Sequence, residues 1–192
     1  MRSRVVAMVE GAVAAALGAI LSMIILYRLP QGGSVTLAAV VPIWVVALRR
    51  GPFVGALAGV ALGLINFLQN PQAIHPLQPI VDYPLAFGLL GLAGIRQENP
   101  IFGAITAVMA KFSCHVLSGV LFFGIYVPAG QNPLHYSLVY NLSVVLPDLV
   151  VALVVFSVLR VRAPHLFLVQ QQEMGRKSKK ANPKVGPNKR TN

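Results

Sequence analysis

The chain has 192 residues, 56% of them hydrophobic and only 11% charged, with a mean hydropathy of +0.70. Soluble domains carry about 25% charged residues, so a soluble globular fold is excluded, and so apolar a chain is not a disordered one. The formal net charge is +11, from 16 Lys+Arg against 5 Asp+Glu, and the single cysteine, Cys114, excludes an intrachain disulfide framework.

The length suits one all-α integral membrane domain of about six spans, at ~20 residues each plus loops. The apolar runs fall at residues 5–29, 35–48, 53–68, 80–95, 101–127 and 134–159. The first is too long for a signal-peptide core. The second is short for a span and is expected to be tilted or partly non-helical. Arg49-Arg50-Gly51, Arg96, and Arg160 with Arg162 stop the second, fourth and sixth runs. The remaining connections hold only Arg28, so the positive-inside rule predicts both termini in the cytoplasm. Residues 1–165 read as the membrane domain. Residues 166–192 read as a basic, disordered cytoplasmic tail, with Arg176, Lys177, Lys179, Lys180, Lys184, Lys189 and Arg190 against Glu173 alone. Its expected role is topology and contact with anionic lipid rather than nucleic acid.

Ionisable residues inside spans are costly and are functional candidates. Here they are Glu10, Asp82, Lys111, His115 and Asp148. Helical rise brings Asp82, Tyr83, His115, Tyr136 and Asn141 to similar depth, roughly 5–10 Å below the outer surface. A mostly apolar wall with a few polar groups is the profile of a small-molecule pocket, here opening outward. With Asp82 as the one carboxylate at that level and aromatics nearby, it suits a neutral or cationic ligand with flat rings. Mutual pairing of Asp82 with His115 as a helix tie is the alternative. Lys111 and Asp148 fall deeper and are expected to form a structural ion pair. Glu10 is expected to reach the cytoplasmic head groups, and Cys114 to be a small buried residue. In span one, small residues recur four apart at Ala12/Ala16, Ala15/Ala19 and Gly11/Ala15, and span three repeats them at Gly55, Gly59 and Gly63. Such faces pack helices closely, either internally or against a partner. No P-loop, HExxH, nucleophile elbow or Cys/His cluster is present, so no catalytic residue, metal or cofactor is expected. The runs also lack the internal repeat of a self-contained transporter.

Four stretches together resemble a known family. They are Ala12-Val-Ala-Ala-Ala16; Pro42-Ile-Trp-Val-Val-Ala-Leu-Arg-Arg-Gly51; Asp82-Tyr-Pro-Leu85 with Gly88, Gly91 and Gly94; and Lys111-Phe-Ser-Cys-His115 with Gly119 and Tyr136-Ser-Leu-Val-Tyr-Asn141. Over residues 5–160 the chain is similar to the thiamine-specific substrate-binding (S) component of energy-coupling factor (ECF) vitamin transporters. The resemblance implies a transport subunit of the prokaryotic cell membrane that binds thiamine from outside. It also implies docking, through Ala12 and Ala16, on a transmembrane coupling protein driven by two separate ATPase subunits. The ligand residues it implies are Asp82, Tyr83, His115, Gly119, Tyr136 and Asn141, with Phe123 standing where a Trp is expected. Asp82 replaces the usual Glu, Gly33 a Trp in the first outer loop, and Leu37 an acidic residue. Another vitamin, or a thiamine precursor or pyrimidine analogue, is the alternative ligand. A membrane-embedded enzyme using Asp82 and His115, and a ligand-free assembly factor, are the alternatives outside transport.

Overall fold

The computed structural model describes residues 2–167. The predicted tail beyond residue 167 lies outside the described residues. Six helical stretches follow in order: α1 (Arg2–Ser22), α2 (Val41–Arg50), α3 (Pro52–Gln69), α4 (residues 78–94), α5 (Pro100–Phe122) and α6 (Pro133–Arg162). Four of them, α1, α3, α5 and α6, are long and apolar enough to cross a membrane. Much of their large apolar surface faces outward, as at Val150, Val154 and Val158 of α6, which suits a lipid surround.

The short second run resolves as anticipated into helix and non-helix, but an all-α reading misses a hairpin. Strands β1 (Ile25–Arg28) and β2 (Ser34–Thr36) pair antiparallel, with Tyr27 opposite Val35 and Arg28 opposite Ser34. Pro30 and Gly32–Gly33 make the turn between them, and Gln31 adopts a left-handed φ of 60° there. Only then does α2 begin, with Pro42 in its first turn, where its missing N–H costs nothing.

The fourth run is not a plain α-helix. Residues 81–85 (Val-Asp-Tyr-Pro-Leu) form a π-turn around Pro84, and Leu89–Gly94 tightens to a 3₁₀ helix. Proline cannot donate to the ladder, so a register change is relieved there. α3 presses directly on this segment: a Cβ at Gly59 would collide with the Phe87 carbonyl, and one at Gly63 with the Tyr83 carbonyl. The glycines of α3 are therefore internal packing, and they fix the backbone that carries Asp82 and Tyr83.

α1 divides its small residues between two faces. Ala14, Ala15, Gly18 and Ala19 are buried, whereas Ala12 and Ala16 are exposed. The core centres on Trp44, which meets Phe156 edge-on at 5.5 Å. Phe167 also packs edge-on against Phe156, at 5.8 Å. Cys114 is buried and free.

Glu10 does not simply reach for head groups. Its carboxylate accepts from Arg49 Nε at 2.9 Å and from Arg50 Nε and Nη2, both at 2.7 Å. Arg49 Nη1 also donates to the carbonyls of His165 and Leu166. One carboxylate thereby ties α1, the α2–α3 corner and the C-terminal turn (Pro164–Phe167) together.

Candidate functional site

The hairpin, the end of α3 and helices α4, α5 and α6 enclose a cavity of about 470 Å³. Small-molecule sites commonly span ~300–1,000 Å³. Asp82, Tyr83, His115, Gly119, Phe123, Tyr136 and Asn141 all line it. The π-turn sets Asp82 on the cavity wall. Asp82 Oδ1 accepts from His115 Nδ1 at 3.1 Å, and Oδ2 accepts from Ser118 Oγ at 2.8 Å and Gln78 Nε2 at 3.1 Å. The Asp82–His115 tie and the cavity thus coexist, since both residues face the cavity while bonding each other.

The aromatic wall is built in pairs. Tyr136 and Tyr140 lie nearly parallel, 6.5 Å apart and one turn from each other on α6. Phe123 leans on Tyr126 at 6.0 Å, and Phe67 backs Tyr83 at 5.1 Å. The Tyr83 hydroxyl donates to the Asn70 carbonyl, which joins α4 to the end of α3. Asn141 Nδ2 donates to the Ser137 carbonyl at 2.9 Å and to Ser137 Oγ at 3.2 Å. Gly119 leaves room for that serine, because a Cβ there would strike Ser137 Oγ.

The deeper pair departs from expectation. Lys111 and Asp148 make no ion pair within 4 Å; both line the same cavity. Asp148 Oδ1 instead accepts from the backbone N–H of Thr36 at 2.8 Å and its hydroxyl at 3.0 Å. Lys111 Nζ lies 4.3 Å from the centre of the Phe87 ring, a cation–π contact. Depth alone suggests pairing, but the hairpin reaches Asp148 first. The cavity therefore holds two carboxylates, not Asp82 alone.

The departures from the family pattern also find their places. At Gly33, a Cβ would lie 2.7 Å from the Tyr140 hydroxyl, so Tyr140 fills the space where a Trp is expected. That hydroxyl accepts from Gly33 N–H at 2.9 Å and donates to the Pro30 carbonyl at 2.5 Å. Leu37 lines a separate apolar groove between α1, α2 and α6. Trp44 is in the core and does not line the cavity. Gln78, Ser118, Ser137, Asn66 and Gln72 were not singled out by sequence. Gln78 precedes Asp82 by one helical turn and Ser118 follows His115 by three residues, spacings that could have flagged them. Among the described residues, no group of three or more His, Cys, Asp or Glu could hold a metal ion.

The family described as thiamine transporter protein matches residues 8–168. The chain belongs to that family. It is 30% identical to the thiamine transporter ThiT of Bacillus subtilis (strain 168), over 85% of this chain and 94% of that protein. It is 34% identical to the thiamine transporter ThiT of Lacticaseibacillus paracasei, over 68% of this chain and 75% of that one. The solved structure of ThiT from Listeria monocytogenes superposes with a TM-score of 0.76 at 29% identity, over 86% of this chain and 98% of that one. The Bacillus and Lacticaseibacillus relatives are named as transporters, and the fold agrees with that class: apolar helices around a polar, aromatic-walled cavity.

Proposed function

We propose that this chain binds thiamine from the outer side of the cell membrane and delivers it to an ATP-driven ECF module. The protein is a transport subunit, and ATP hydrolysis belongs to separate partner subunits. In this reading all six helical stretches cross the bilayer, with both termini cytoplasmic. α2 and α4 complete their crossings with the hairpin and the 3₁₀ segment.

The observation that carries the reading is the Asp82 network inside an aromatic cavity, in a member of the thiamine transporter protein family. Thiamine is a permanent cation with two flat rings. Tyr136, Tyr140, Tyr83 and Phe123 offer faces for the rings. Asp82 and Asp148 are bonded by hydroxyl, amide and imidazole donors, so the cavity provides two carboxylates whose nearest partners are not guanidinium groups. Asn141 Oδ1 and the rim amides of Asn66 and Gln72 can take further polar groups. The exposed face of Ala12 and Ala16 is the docking surface for the coupling protein in this reading.

The test is isothermal titration calorimetry of the detergent-purified chain with thiamine and a panel of other vitamins. Saturable binding of thiamine at one site per chain is the expected result. Tight binding of riboflavin with no heat from thiamine would overturn the ligand assignment.

A further inference from the structure

The carboxylate of Asp82 is bonded unequally on its two oxygens. Each carboxylate oxygen has about two acceptor positions. Oδ2 has both filled, by Ser118 Oγ at 2.8 Å and Gln78 Nε2 at 3.1 Å. Oδ1 has one filled, by His115 Nδ1 at 3.1 Å. A carboxylate only accepts, so this contact requires the His115 proton on Nδ1.

The two residues that occupy Oδ2 are themselves locked. Ser118 is fully buried and does not line the cavity. Gln78 is 2% exposed; its Oε1 accepts from the Ile74 N–H at 2.7 Å and its Nε2 also donates to the Gln72 carbonyl. Neither can easily release Asp82, because each would leave a buried polar group without a partner.

We propose that Ser118 and Gln78 are positioning residues that set ligand preference. By saturating Oδ2 they leave Oδ1, beside His115, as the only acceptor Asp82 offers to the cavity. A carboxylate accepts on either oxygen, so it favours an N–H donor, as an aminopyrimidine presents, over an oxo group; Ser118 and Gln78 confine that reading to Oδ1 in one orientation. This arrangement also holds the shorter Asp side chain to one orientation, where a Glu would have more reach and more freedom. The inference rests on the thiamine reading and deepens it to the group that is read.

The test compares thiamine with oxythiamine, in which the pyrimidine amino group is an oxo group, by calorimetry on the purified full chain. The wild type is expected to prefer thiamine by at least about tenfold, the effect of one unsatisfied polar group. Ser118→Ala frees Oδ2 and lets the carboxylate turn, so the thiamine-to-oxythiamine ratio is expected to narrow roughly fivefold or more. Gln78→Ala removes the other donor to the same oxygen and is expected to narrow it too. It serves as the independent variant should the buried Ser118 change impair folding. Ser118→Thr keeps the hydroxyl and is expected to keep the ratio. An unchanged ratio in Ser118→Ala and Gln78→Ala overturns the proposal, even if both affinities fall together, because equal loss marks a merely structural role. Equal affinity of the wild type for the two ligands overturns it while leaving thiamine binding intact. No binding of thiamine at all overturns the underlying reading, and this proposal with it.

Discussion

The aromatic cavity and the Glu10 corner both contain acids, but they treat them differently. Glu10 sits between two guanidinium groups, Arg49 at 2.9 Å and Arg50 at 2.7 Å. Its charge is more than cancelled locally. Asp82 and Asp148 are instead held by hydroxyls, a carboxamide, a backbone N–H and an imidazole. Such donors satisfy the geometry of a carboxylate without supplying a guanidinium counter-charge. The corner is thus built to be stable, whereas the cavity, which Arg28 and Lys111 also line, leaves its two carboxylates free of direct cationic pairing and open to a ligand. Changes at the corner should alter stability and leave binding alone, and changes in the cavity should alter binding.

The largest expected effect lies on the exposed face of α1. Ala16→Trp puts a large ring on the exposed face of α1, away from its buried neighbours Ala15 and Ala19. Thiamine uptake in cells supplying the ECF module is expected to fall to background, while calorimetric affinity stays at the wild-type value. Uptake at the wild-type rate would separate that face from docking.

Next is the cavity's own acid. Asp82→Asn keeps the shape and removes the charge, which is worth ~1.5–3 kcal/mol for a charge-assisted hydrogen bond. Thiamine affinity should drop by roughly tenfold or more, read by calorimetry on the folded protein, with some loss of melting temperature because the new NH2 faces a buried donor. Wild-type affinity in this variant would break the contrast between the two regions.

The helices were legible because apolar runs end at arginines, and the cavity residues because polar groups stand out in such runs. What was not legible is azimuth. Depth placed Lys111 and Asp148 near each other, yet which way each points depends on the hairpin that delivers Thr36. The hairpin itself hid inside apolar sequence: Ile25-Leu-Tyr-Arg28 continues the first run, and only Pro30 and Gly32-Gly33 hinted at a turn. Ser118 and Gln78 carry only the weak signal of their spacing, because serine is ordinary in membrane helices and Gln78 lies in a Pro-flanked stretch, Pro76-Leu-Gln-Pro79. Glu10 hides its role for the opposite reason. Its partners, Arg49 and Arg50, also mark the end of an apolar run, and one role does not exclude another.

Glu10→Gln sharpens the comparison from the corner. The two arginines lose their anion, and a partly exposed pair of this kind is worth about 1 kcal/mol. The melting temperature is expected to fall by roughly 2–4 °C for a domain of this size. Thiamine affinity measured at the same salt should not move. A tenfold loss of affinity would mean that the corner reaches the cavity, and the two regions would no longer be separable.

The smallest effect is expected where the cavity meets the hairpin. Tyr140 is both wall and fastening: its ring stacks against Tyr136, and its hydroxyl bridges Pro30 and Gly33. Tyr140→Phe keeps the ring and loses the bridge, so it isolates the fastening. Each net hydrogen bond contributes about 0.5–1.5 kcal/mol, and part of the loss is recovered by water at the open hairpin. A severalfold loss of thiamine affinity is therefore expected, smaller than for Asp82→Asn, and calorimetry will resolve it. Gly33→Ala approaches the same contact from the other side, since its Cβ would press on that hydroxyl and on Val144. If both variants bind as the wild type does, the hairpin is only a cover, and recognition rests on the helices alone.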